Sequence, residues 1–559
     1  MKKYFLICFL TIFCLPVFSI ENQDIKLLGE LTFYPERILK AIDFNDLYKI
    51  QQFSLSAPLF QNNIIRQKNN GFFGINFNEP VAIKFLSVNG SLIPDISIEF
   101  SIDNLDKIKM IIATFSQNSY SLTQSKNIYW LSGVSSSKPA FPMIIKNKRA
   151  FLLGDASRFN FVSSGKIDKN FDLTNISDTS PERAEQALKI LNFISDPIKN
   201  KIFSAAGILP PEIPVTKPDV LGYIFSNITG DYLDKLYQQF NIEYIKQVFE
   251  ENTSGKQISI VRKIPLNLLV DNYSFFNDNS EEKKKITIKS DFASKISDNV
   301  FMYYTGNGSN SQLKKLLNNK RIFPDNTEFS GVKDNIITLI SSFAGEIYFF
   351  VTPNQMSGST LTTDFFNKFN ISLALEIADA ATFENAISKL SNENQGKIKY
   401  QKEADNMQRL VLSSDTYSVN LYIGYADLNR KYVVFSSNKS EAEKYSSGAA
   451  ADNQKNIISY LEKKINLSGA IDNSFYFINL KHLLKYIYDM EKERLDEVYR
   501  KVANYLIDCS DAIFGYTKYS AEYNNQSFTI KQLKAMNILE IYNIFQNTQN
   551  QQPGAGKNK

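Results

Sequence analysis

The sequence predicts an α+β fold of two related halves. Each half is read as an antiparallel sheet with helices against one face, joined by a helical middle region and closed by a long C-terminal helix and hairpin. Three observations predict it. Leu373 to Ser437 reads strand, amphipathic helix, strand, strand, and Ile96 to Asp155 repeats that order in worn form. A glycine-led apolar run precedes each copy, Gly74 through Phe85 and Gly345 through Phe350. The repeat period of about 270 to 280 residues is far beyond a solenoid unit, so it implies duplication of a whole domain.

At the start of the chain, Met1 to Ser19 carries Lys2 and Lys3, then an apolar run from Tyr4 to Leu15 and small residues toward Ser19. This is the pattern of a secretory signal peptide cleaved after Ser19. Cys14 follows Phe13, where a lipid-modified cysteine requires a small residue, so the expected product is a free chain. No later stretch reaches the 18 or so apolar residues of a membrane-spanning helix. The expected address is the periplasm, the cell surface or the exterior.

The predicted boundaries are 1–19 signal peptide, 20–170 first half, 171–255 helical and proline-rich connecting region and 256–470 second half. Residues 471–546 form a helix-hairpin-helix and 547–559 a disordered tail.

Within the first half, Leu28 to Tyr34 reads as a strand and Ile38 to Ile50 as a helical pattern. In the connecting region, Ser180 caps a helix with Pro181 at its first position, and Pro210, Pro211, Pro214 and Pro218 suggest an extended connector. Asp231 to Glu251 places Leu233, Tyr237, Phe240, Tyr244 and Val248 on one helical face, a core pattern. In the second half, Leu375-Glu376-Ile377 is a strand and Asp379 to Leu390 a helix, matching Ile98-Glu99-Phe100 and Asp103 to Ile112. Leu480 to Cys509 reads as one long helix, and Ala512 to Leu533 as a hairpin.

The chain of 559 residues has net charge +5 with both signs interspersed, which gives no reason to expect nucleic acid or an anionic membrane. Lys283-Lys284-Lys285 follows two glutamates and reads as a solvated loop. Cys8 and Cys14 leave with the signal peptide, so Cys509 stands alone, reads as a small buried hydrophobe, and no internal disulfide forms.

The glycine-led strand Gly74-Ile75-Asn76-Phe77 with Pro80, the unit around Leu375-Glu376-Ile377 and the Asn537 to Glu540 helix start resemble an uncharacterised class of exported bacterial proteins. These are domains of unknown function with two related α+β halves. The resemblance implies export and architecture and carries over no catalytic residue.

Catalytic side chains are scarce. The one histidine, His482, opens a helix among core-forming neighbours, which argues against a Ser-His-Asp or Cys-His arrangement and against an ordinary zinc site. Asp278 to Glu281 and Asp325 to Glu328 lack the glycine and terminal glutamate of a calcium loop. Ser135-Ser136-Ser137-Lys138 and Ser297-Asp298-Asn299 match two motifs of the penicillin-recognising enzymes, but the third is missing. Glu99 and Glu376 are the carboxylates to watch because they occupy equivalent places, each on a strand and pointing away from the core-facing side, toward solvent or a second layer.

Aromatic residues make up 13% of the chain, which suggests either an aromatic-lined groove or, more simply, a compositional bias toward Phe, Tyr, Ile, Asn and Lys. The leading expectation is an exported, non-enzymatic envelope protein that binds a partner protein or is structural, with no cofactor and no metal. The alternatives are a carrier of an apolar, lipid-like ligand between sheet and helices, and a carboxylate-dependent hydrolase.

Overall fold

The computed structural model describes residues 25–41, 74–88, 94–115, 120–125, 128–133, 141–155, 181–196, 203–227, 256–275, 292–307, 337–354, 368–393, 397–404, 407–413, 418–427, 431–446, 456–465, 474–519, 522–534, 540–541 and 544. The signal peptide with Ser19, the Asp231 to Glu251 pattern, the Ser135 to Lys138 motif, both acidic turns, the Lys283 run, the start of the Asn537 helix and the 547–559 tail lie outside them. The chain divides into two compact units, one drawn mainly from residues up to Glu282 and the other mainly from Lys283 onward.

The first unit holds β1 (Ile25–Phe33), α1 (Pro35–Ala41), β2 (Val81–Val88), β3 (Asp95–Ser101), α2 (Leu105–Phe115), β4 (Tyr120–Ser125) and β5 (Ile128–Gly133). It continues through β6 (Phe141–Lys146), β7 (Arg149–Asp155), α3 (Pro181–Ile194), α4 (Ala205–Ile208), β8 (Val220–Asn227), β9 (Lys256–Ile264) and β10 (Asn267–Phe275). Every pairing is antiparallel, and the strands lie in the order β4-β5-β6-β7-β3-β2-β1-β8-β9-β10.

Alternation along β7 divides its side chains between two cores. Ala150 and Leu152 pack with Ile102 and Ile108 beside α2, whereas Phe151 and Leu153 pack with Ile190, Leu191 and Ile194 of α3. The proline-rich run is folded into this second core: Leu209, Ile213 and Val215 are buried, and the Tyr34 hydroxyl donates to the Val215 carbonyl at 3.0 Å. Prolines that fix the backbone also let it lie against apolar side chains with few amides to satisfy.

The second unit holds β11 (Met302–Asn307), β12 (Phe343–Pro353), β13 (Phe369–Ile377), α5 (Ala380–Glu393), β14 (Ile398–Ala404), β15 (Met407–Ser413) and β16 (Ser418–Asp427). There follow β17 (Lys431–Ser436), α6 (Lys439–Ser446), α7 (Ile457–Ile465), β18 (Ser474–Ile478), α8 (Leu480–Glu491), α9 (Glu497–Cys509), β19 (Ser510–Tyr519) and β20 (Tyr523–Gln532). Its strand order is β14-β15-β16-β17-β13-β12-β11-β18-β19-β20, the same circuit as the first unit. On one face α5 covers Leu375, Ile377 and Val433, and on the other α6 and α7 cover Tyr348, Phe350 and Tyr432.

These facts correct the predicted fold class in three respects. Among the described residues strand outweighs helix, with twenty antiparallel strands, and helices pack on both faces of each sheet instead of one. Among the described residues a helical middle region is not shown: α3 is helical, but Val220–Asn227 is a strand hydrogen-bonded between β1 and β9. Nor is there one long C-terminal helix. α8 and α9 are separate, and the break coincides with residues 491–494, where no apolar side chain holds the backbone against the sheet, while Asp496 in extended conformation restarts the helix. Among the described residues, no helix is long and apolar enough to cross a membrane.

Candidate functional site

Glu99 lies on β3, directly opposite Phe151 of β7, and therefore points to the face that α3 and residues 203–215 cover. It is fully buried. Lys84 Nζ stands 2.6 Å from its Oε1 and Arg149 Nη2 3.2 Å from its Oε2, so both oxygens face cations. Beside it, Glu30 on β1 accepts from the Thr32 hydroxyl at 2.7 Å, the Tyr223 hydroxyl at 2.8 Å and the Ala205 amide at 2.7 Å. Burial and then the neighbouring Glu30 charge push the Tyr223 hydroxyl far above its ordinary range, which keeps it a donor.

Glu376 occupies the same place on β13, opposite Tyr432 of β17, and is also buried. Its Oε2 accepts the Glu346 amide at 3.1 Å. Glu346 Oε2 in turn accepts from the Tyr348 hydroxyl at 3.0 Å and the Tyr432 hydroxyl at 2.6 Å. Both sequence-selected glutamates thus face a second layer and are tied into buried networks. Sequence reasoning did not single out Glu30, Lys84 or Glu346, whose importance arises only from strands far apart in the chain.

His482 is half-buried at the start of α8, its ring edge-on to Phe301 at 4.8 Å. Burial, with Lys485 one turn on, holds its pKa below the ordinary value. Cys509 is buried at the end of α9. Trp130 is half-buried on β5, and Ser297 and Asn299 form a small turn before β11. Among the described residues, no group of three or more His, Cys, Asp or Glu side chains gathers as a metal site.

A different feature of the second unit reaches solvent at one end, at Tyr304 and Met302. Tyr304 of β11 lies directly across from Tyr476 of β18, which lies across from Gly515 of β19. Both rings lie down on the sheet. Tyr304 rests over Gly306 and Tyr476 over Gly515, and a methyl group at either glycine would occupy the ring position. Tyr476 then stacks on Phe528 of β20, with centroids 6.3 Å apart and planes 29° apart. Tyr304 retains 37% of its accessible surface and the adjacent Met302 36%.

The row has ordered flanks. On one side, in register with Gly306, the Ser474 and Thr517 hydroxyls share a hydrogen bond of 2.9 Å. On the other, Met302, Ile478 and Ile513 continue one another across three strands. None of these side chains is charged.

No family model matches the chain, and no curated protein matches it. Among solved structures, crystal form III of TP0453 aligns at 12% identity with a TM-score of 0.26, over 47% of this chain and 87% of that one.

Proposed function

We propose that this chain is an exported, non-catalytic binding protein of the cell envelope. Export rests on the leader-like first 19 residues. The observation that carries binding is an aromatic row that begins at the exposed Tyr304 and continues through the half-buried Tyr476 and Phe528, surface of the kind proteins otherwise bury. Binding is favoured over catalysis because Glu99, Glu346 and Glu376 are committed to partners within their own unit.

The test is a photo-reactive phenylalanine analogue placed at position 304, irradiated in the producing cells. The expected outcome is a discrete adduct formed from position 304 and absent when the analogue replaces Tyr499, which is more open, at 55% against 37%, on α9. Adducts indistinguishable between the two positions, or none at 304, would overturn the reading.

A further inference from the structure

The two units share one strand circuit, so each position in one has a counterpart in the other. Glu30 lies opposite Lys84, which lies opposite Ser97. Thr305, Tyr348 and Ala374 form the same series in the second unit. Tyr304 therefore corresponds to Gly29, and Tyr476 to Ser226. The circuit forms with glycine and serine at those places, so the paired tyrosines are not required by the fold. The glycines beneath the rings follow the same logic, since Gly306 corresponds to Leu31. A ring and the gap that seats it are present together in one unit and absent together from the other.

We propose that the Tyr304–Tyr476–Phe528 row is a stacking site for a pyranose ring, which makes the ligand a glycan. This rests on the binding reading above and names what is bound. A pyranose ring presents C–H groups on a flat face and hydroxyls around its edge. The row offers a matching pair of surfaces: the exposed Tyr304 ring with the half-buried Tyr476 and Phe528 beside it, then the half-buried Ser474 hydroxyl, held by the buried Thr517, in register with Gly306. A lipid chain would want apolar surface on both sides of the rings, and one side here is hydroxyl. Nucleobases also stack on aromatic rings, but their phosphates call for cations, and the row and both flanks are neutral. Protein partners anchor most strongly by side chains that fill pockets, whereas these rings lie flat. Seated over glycines, the rings lose little rotamer freedom when covered, which suits a weak neutral ligand.

The experiment titrates the full exported chain with cellohexaose, maltohexaose and chitohexaose, followed by saturation-transfer NMR and calorimetry. At least one hexasaccharide is expected to bind. Tyr304→Ala and Tyr476→Ala should each weaken it about tenfold, the effect of losing one stacked ring. Tyr304→Phe should remain within about threefold of the parent. Tyr304→Leu, which keeps the bulk and loses the ring, should behave like the alanine variant and serves if that variant is unstable. Unaltered binding in the Ala and Leu variants would overturn the assignment of the site. Absence of binding by all three sugars, with a specific protein adduct at position 304, would overturn the glycan inference and leave the binding reading standing. Silence in both experiments would remove both.

Discussion

Lys84 Nζ lies 2.6 Å from Glu99 Oε1 across neighbouring strands β2 and β3, with both side chains out of solvent. Removing one member of such a pair strands the other charge in the interior, which costs about 3–5 kcal/mol. Lys84→Met should therefore lower the urea midpoint of the first unit markedly, toward the low end of that range because Arg149 still reaches Glu99. The double variant Lys84→Met, Glu99→Leu should recover most of the loss. A double variant no more stable than the single one would show that the pair is net stabilising.

In the second unit the Tyr432 hydroxyl donates to Glu346 Oε2 at 2.6 Å. A hydrogen bond to a charged group contributes about 1.5–3 kcal/mol, and Tyr432→Phe removes it without changing the ring. The expected result is a loss in that range by chemical denaturation, with the circular-dichroism spectrum unchanged.

His482 supplies a pH dependence. Its pKa is lower in the folded chain than its ordinary 6.5, so folding favours the neutral ring. The unfolded chain then binds more protons between those two values, and stability rises with pH there. The contribution is present in full above about 6.5 and is lost as pH falls through the folded value. Thermal midpoints measured from pH 7 to pH 5 should fall less steeply in His482→Phe than in the parent.

α8 is held to its sheet by a small aromatic contact. Phe301 is fully buried among Phe369, His482 and Tyr486, and the Tyr486 hydroxyl donates to the carbonyls of Asn354 at 2.9 Å and Lys368 at 2.8 Å. Phe301→Ala should cost about 3–5 kcal/mol through the cavity it leaves. Hydrogen exchange should show the loss first in amides of α8. Uniform loss across the unit would mean that α8 does not open separately.

What the sequence disclosed was local. The strand-helix unit of β13 and α5 is legible because Leu375, Ile377, Phe383 and Ile387 lie close together and keep their periods. The covering of both faces was not, since it is supplied by segments such as Phe203 to Val215 and Phe292 to Val300, remote from the strands they bury. For this reason Glu99 and Glu376 read as facing solvent or a second layer, and it is the second layer that they meet. α8 and α9 merged into one helix in the sequence because apolar spacing resumes after Leu495 and the pattern does not register the turn between them. The aromatic row joins residues more than 200 positions apart. Its one signal in the sequence is a glycine inside each of two strands, at Gly306 and Gly515, which marks a close approach without saying of what.

The shared strand circuit also sets a timetable. In both units the strand that starts the sheet, β1 or β11, waits for a partner that comes very late: β8 begins at Val220 and β18 at Ser474. A chain emerging from its N-terminus can pair β1 with β2 early, but the other side of β1 stays open until some 190 further residues have followed. A somewhat shorter interval separates β11 from β18 in the second unit. Each sheet is thus completed by its last-made strands, so the polypeptide stays threadable for most of its synthesis and becomes difficult to unravel only once each circuit closes.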